Sequence, residues 1–136
     1  MRAILDSGIF IATQYKDDFY SERAMSILKG FKEGKISEIY INNYVLLEVV
    51  NFLLRKAFFD RANKAYEFLT KTDNIKLVYV DEVMDGGIKE LFEKYKDLSL
   101  TDCSLIVLGE NYKIKNLFSF DSGFDKVKGI IRKEAF

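Results

Sequence analysis

Arg2-Ala3-Ile4-Leu5-Asp6-Ser7-Gly8-Ile9 begins as an apolar run and stops on an acid, a serine and a glycine. A short run without strict alternation predicts a strand buried on both faces, from Arg2 to Leu5, with Asp6-Ser7-Gly8 as the turn that ends it. The pattern returns near the other end of the chain. There Asp121-Ser122-Gly123-Phe124 follows a second apolar strand, predicted over Asn116 to Phe120. Both junctions carry an aspartate at the carboxyl end of a strand, and we read them as one local device used twice rather than as a domain repeat.

Outward from these junctions the chain alternates strands and helices. Ala24, Ile27, Leu28 and Phe31 fall at helical spacing and predict a helix over Phe19 to Phe31, stopped by Gly34. Ile36 to Ile41 reads as a strand closed by Asn42-Asn43. Tyr44 to Lys56 and Phe58 to Thr70 read as consecutive helices, and the β-branched Ile75 to Val80 as a strand. A helix over Asp81 to Tyr95 is weakened by Gly86-Gly87. Another covers Thr101 to Tyr112, and Gly129 to Arg132 is a last short strand. This order predicts a three-layer α/β fold, with a parallel sheet of four to five strands and helices on both faces.

The chain has 136 residues, 49% of them hydrophobic and none of them proline. That is enough to bury one core, and no linker interrupts it, so residues 1–136 are expected to form a single domain. No apolar run reaches the ~18 residues a membrane span needs. Asp6 comes too early for a signal peptide, and the lone Cys103 can form no internal disulfide, so a soluble, cytoplasmic protein is expected. Histidine is absent. Catalysis by a Ser-His-Asp triad is thereby excluded, and any metal must be held by oxygen, which selects Mg²⁺, Mn²⁺ or Ca²⁺ over zinc or copper. The 21 basic and 21 acidic residues balance, so binding to nucleic acid would need local patches or bound metal rather than net charge.

Four acids stand in informative places. Asp6 and Asp121 sit at carboxyl ends of strands, where open α/β sheets bind ligands; the plainer account of each is an Asx turn. Glu48 lies in the apolar Val45 to Leu54 and shares a helix face with Asn51 and Arg55, either lining a cleft or facing solvent. Asp102 ends Ser99-Leu100-Thr101-Asp102, which matches a capping box and needs no catalysis to explain it. Asp125, at the end of Ser122 to Asp125, is another cap or a fifth acid. Cys103 reads as a small buried residue.

Taken together, Asp6 after the first strand, Glu48 in a mid-chain apolar helix, Thr101-Asp102-Cys103 at a late helix start and Ser119-Phe120-Asp121-Ser122-Gly123-Phe124 after a late strand resemble the signature of PIN-domain nucleases. The resemblance covers essentially the whole chain and is strongest to the VapC-type toxins of toxin–antitoxin pairs. It departs mildly at Ser119, where threonine is commoner, and at Gly8, where a polar residue is frequent. The resemblance implies strand order 3-2-1-4-5, which would make the Asp6 and Asp121 strands neighbours. It also implies an acidic quartet of Asp6, Glu48, Asp102 and Asp121 holding Mg²⁺ or Mn²⁺, supported by Ser7 and Asn51. The implied activity is endoribonuclease cleavage of RNA to 5′-phosphate and 3′-hydroxyl ends, and the implied partners are an antitoxin protein and a second copy of the chain. Arg55, Lys56, Arg61 and Lys64, and Lys126, Lys128, Arg132 and Lys133, are candidate contacts to the RNA backbone. The rival reading is a PIN-like scaffold that binds RNA or protein without cutting.

Overall fold

The computed structural model describes residues Met1–Phe136. Five strands form one parallel sheet: β1 (Arg2–Leu5), β2 (Glu38–Asn42), β3 (Ile75–Val78), β4 (Asn116–Phe118) and β5 (Ile131–Lys133), in the order β3-β2-β1-β4-β5. Every adjacent pair is parallel, as the short apolar strands require. The strand order reverses between β1 and β4, where Ile4 and Leu5 pair with Leu117 and Phe118. Asp6 and Asp121 therefore leave adjacent strands at the same edge of the sheet.

Helices α1 (Ser7–Ala12), α2 (Ser21–Lys32), α3 (Asn43–Lys56) and α4 (Phe59–Lys71) pack as one group. Helices α5 (Glu82–Lys94) and α6 (Leu100–Tyr112) pack as another. The chain runs from β1 towards β3 with the first group and returns to β4 with the second, and the right-handed rule for parallel crossovers then puts the two groups on opposite faces of the sheet. Ala3, Ile4 and Leu5 of β1 are fully buried between these layers. Helix α6 is buried along Asp102 to Gly109, which explains why it is apolar nearly all round. No helix is long and apolar enough to cross a membrane.

Three expectations change. Ser7–Ala12 is a helix rather than a turn: the Asp6 side chain caps it by accepting from Ser7 N, and Ile9, Phe10 and Ala12 are buried. The Gly86-Gly87 pair does not interrupt α5. Gly87 faces Val107 of α6, where an added Cβ would stand 3.5 Å from Val107 Cγ2, an ordinary contact, so the helix runs through the pair by packing against α6. The late strand stops at Phe118, two residues early, because the Ser119 side chain turns to bind the Asp6 carboxylate and the Asp121 amide.

Asn42 shows how sequence neighbours become structural joints. It is fully buried at the end of β2, and its Oδ1 caps α3 by accepting from Val45 N at 3.0 Å. Its Nδ2 donates to Ser104 Oγ of α6 at 2.7 Å, and that hydroxyl donates to Thr101 O at 2.6 Å. The helices that carry Glu48 and Asp102 are thus tied together across the sheet edge.

Candidate active site

Asp6 and Asp121 follow strands, Asp102 stands in the first turn of α6, and Glu48 comes from inside α3. Asp6 follows β1 and begins α1; its Oδ1 accepts from Ser7 N at 2.8 Å and its Oδ2 from Ser119 Oγ at 2.8 Å. Ser119 is itself fully buried and accepts from Asp121 N at 3.0 Å, so one hydroxyl locks the first acid to the last. Asp121 Oδ1 accepts from Gly123 N at 2.8 Å, which starts a single turn of 3₁₀ helix over Ser122–Lys126. A Cβ on Gly123 would stand 2.9 Å from Leu98 Cδ2 and 3.0 Å from Asp121 Oδ1, so a larger residue here would force the Leu98 or Asp121 side chain to move.

Glu48 projects from α3 one helical turn after the capped start. Its Oε1 accepts from Ser7 Oγ at 2.9 Å and its Oε2 from Thr101 Oγ1 at 3.2 Å. A single glutamate thereby bridges the start of α1 and the start of α6. Asp102 does carry the cap that its sequence suggests: Ser99 Oγ accepts from Asp102 N at 3.0 Å, and Asp102 Oδ2 accepts from Ser99 N at 3.0 Å. Capping engages only Oδ2, which leaves Oδ1 without a protein donor.

The electrostatics connect all four. Burial pushes the Asp6 carboxyl up to about 6, against the opposing hydrogen bond from Ser119, and repulsion from Asp102 and Glu48 adds to the rise. Asp102 is also raised, first by burial and then by repulsion from Asp121 and Glu48. Asp102 is thus the hub through which the other three acids are felt. No lysine or arginine forms a salt bridge with any of the four, although seven basic side chains elsewhere do so with other acids. The cluster therefore carries negative charge with no protein counter-ion.

The donor set fits a hard divalent cation, being made of carboxylate oxygens with serine and threonine hydroxyls behind them. Burial pushes the neighbouring Cys103 thiol up and keeps it from serving as a thiolate ligand. No three acidic side chains are gathered tightly enough to ligate one ion directly. An ion here would take one or two carboxylates and complete its shell with water or substrate oxygens, which is the habit of Mg²⁺.

Beside the acids, a groove of about 390 Å³ is lined by Ser7, Ile11, Glu48, Asn51, Phe52 and Arg55 among others. The polar stripe of Glu48, Asn51 and Arg55 thus does border a cleft, but α3 is less enclosed than its composition suggests, since Leu47 and Leu54 are half exposed. Arg55 makes no salt bridge and shares this groove with Glu48, which makes it a candidate phosphate contact. Half of the second basic group is engaged elsewhere: Lys126 pairs with Asp97, and Arg132 pairs with Asp125 and Glu134, while Lys128 and Lys133 form no salt bridge. That pairing also accounts for Asp125, which serves an ion pair rather than the acidic cluster. Sequence reading missed the roles of Ser119 and Asn42. A serine one residue from a junction strand and an asparagine at a strand end are the signals that could have pointed to them.

Ser119→Ala should cost about 1–3 kcal/mol, because the Asp121 amide and an Asp6 oxygen lose a buried partner together. It should also raise the Asp6 carboxyl further, since the lost hydrogen bond favours the ionised form. Urea denaturation and an NMR titration of the Asp6 carboxyl carbon would read the two effects separately.

Comparison with known proteins agrees with this architecture. The profile of the PIN domain family matches residues 3–130. A VapC ribonuclease of Archaeoglobus fulgidus is 28% identical over 127 residues, which span 91% of this chain and 80% of that protein. Among solved structures, VapC20 of Mycobacterium tuberculosis, described as a sarcin-ricin loop cleaving toxin, superposes with a TM-score of 0.80 at 17% identity, covering 93% of this chain and 95% of that one. VapBC2 of Rickettsia felis, bound to a DNA fragment from its promoter, gives 0.65 at 15% identity with 98% of each chain covered.

Proposed function

This chain belongs to the PIN domain family, and from that premise we propose that residues 1–136 act as one nuclease domain, a Mg²⁺- or Mn²⁺-dependent endoribonuclease that is the toxin of a VapBC-type pair. The observation that carries the proposal is the acidic cluster itself. Asp6, Glu48, Asp102 and Asp121 come from four separate elements of the chain, raise two of one another's carboxyls, and have no basic partner. Natural folds do not hold like charges together without compensation, and a divalent cation supplies it.

In this reading all four acids hold the metal, directly or through water. When bound, the cation supplies Lewis acidity, lowering the pKa of water and stabilising charge on the phosphate undergoing in-line attack. The protein's own part is positioning. Ser119 and the Ser7 amide orient Asp6, while Ser7 and Thr101 fix both oxygens of Glu48. The capping box holds Asp102 at the start of a buried helix, so it cannot swing away from the cleft. Arg55 and Asn51, in the adjoining groove, would orient the RNA backbone. With a cation held there, the four acids would present a phosphate site without any need for a basic chain overall.

The toxin assignment is supported by the VapC name of the curated relative and by the toxin–antitoxin structures among the fold neighbours. We accordingly place an antitoxin protein and a second copy of this chain among its partners. Incubation of a 5′-labelled single-stranded RNA with the protein tests the enzyme directly. Fragments with 3′-hydroxyl ends should form with Mn²⁺ and not with EDTA. A protein that shifts the RNA on a native gel yet never cuts it with Mn²⁺ would instead be the non-catalytic scaffold.

A further inference from the structure

Phe19 is 81% exposed, more than any other aromatic residue of the chain, yet it is held firmly in place. It lies in the connection between α1 and α2, which turns on Asp18: the carboxylate accepts from Tyr20 N at 2.8 Å and the carbonyl from Ser21 N at 3.0 Å. The Phe19 ring stands edge-on to Tyr20, with centroids 5.0 Å apart and planes at 89°. Tyr20 in turn lies flat on Phe120, at 4.2 Å and 14°. The Arg23 guanidinium lies 5.9 Å from both the Phe19 and Tyr20 centroids, steadied by an ion pair with Glu134 at 3.2 Å. The inner end of this ladder adjoins the acidic site in the chain. Phe120 precedes Asp121 in the chain, and its ring is the nearest group, at 3.9 Å, to the place a Cβ on Gly8 would occupy, two residues beyond Asp6.

A ring series that begins at the residue before Asp121 and ends in solvent is suited to one kind of ligand. Unpaired nucleobases stack on exposed aromatic faces in a sequence-tolerant way, whereas a paired base in a duplex offers no free face. The immediate neighbours of Phe19 are Lys16, Asp17, Asp18, Glu22 and Arg23, whose charges nearly cancel. This loop therefore gives no electrostatic grip on a phosphate. We propose that Phe19, supported by Tyr20 and Phe120, is a stacking platform for an unpaired nucleobase of the RNA that crosses the acidic cleft. The platform selects single-stranded substrate beside the cut phosphate. This inference rests on the nuclease reading above and adds to it a subsite and a substrate class.

The chain contains no tryptophan, so Phe19→Trp would carry a unique fluorophore at the platform. Its emission should be quenched by a single-stranded oligoribonucleotide. An oligomer of the same length and charge lacking bases, or the same RNA annealed into a duplex, should leave it unchanged. Phe19→Ala should weaken binding of that single strand about tenfold or more while keeping the same salt dependence, because a stacking contact rather than a phosphate contact is lost. It should keep kcat close to the wild-type value at saturating RNA. Cleavage by the wild type without any quenching in Phe19→Trp, or unchanged RNA affinity in Phe19→Ala, would overturn the platform and leave the nuclease reading standing. Unchanged RNA affinity would be the result expected of a protein-docking residue. A wild type that neither binds nor cuts the single strand with Mn²⁺ would overturn both.

Discussion

Asp102→Asn should abolish Mn²⁺-dependent RNA cleavage, lowering it by about 10²–10³-fold or more, while leaving the helix cap almost intact. The asparagine keeps the shape of the side chain and an oxygen able to accept from Ser99 N, so the capping geometry at 3.0 Å can survive. What disappears is the negative charge at the hub of the cluster, the one carboxylate coupled to Asp6, Glu48 and Asp121. If capping were the whole role of Asp102, the change would cost ~0.5–1 kcal/mol of stability at most and no activity. Single-turnover cleavage beside a melting curve separates the two accounts. A variant that cuts normally would remove Asp102 from the site.

The metal-free protein should be stabilised by Asp6→Asn, and the sign follows from the raised carboxyl. Asp6 titrates near 6 in the folded protein against an ordinary value of 3.8, so the native state favours the protonated form. The stabilisation by that proton is fully present below pH 3.8 and is lost as pH rises through 6. Between pH 4 and pH 7 the wild type without metal should therefore lose roughly 2 kcal/mol through this one group. Asp102 acts in the same direction. Asp97 and Asp125 are held low by Lys126 and Arg132, so their effect falls below the ordinary carboxylate range and leaves this window clear. Asp6→Asn should flatten the slope and be the more stable protein at pH 7 in EDTA. Mn²⁺ should reverse the ranking, since an ion at a hundred times its dissociation constant adds about 2.7 kcal/mol to the wild type. Chemical denaturation at pH 4.5 and pH 7, with EDTA and with Mn²⁺, reads all four values.

The parts of the fold that could be read from sequence are those in which local pattern and tertiary burial agree. Short apolar strands ending on Asp6 and Asp121 were legible because a parallel strand must be hydrophobic on both faces and its ligand-binding end must turn. Strand order 3-2-1-4-5 came from resemblance and matches the sheet. Helix α1 was hidden because six residues, one of them Gly8, carry no periodic signal; it is stable only because Ile9 and Phe10 are buried against the rest of the fold. The acids themselves stood out by type and position. Their supports did not, since Ser119 reaches Asp6 across 113 residues and Asn42 reaches Ser104 across 62. Such pairs leave no local trace, and the Ser7 bond to Glu48, across 41 residues, is of the same kind.

The claim that these four carboxylates together form a divalent-metal site is tested most directly by Mn²⁺ binding itself, followed as the loss of the free-ion electron paramagnetic resonance signal. The wild type should bind Mn²⁺. Asp6→Asn, Glu48→Gln, Asp102→Asn and Asp121→Asn should each weaken it, because every change removes one charge from the same uncompensated cluster. Equal Mn²⁺ affinity in the wild type and in all four variants would contradict the account.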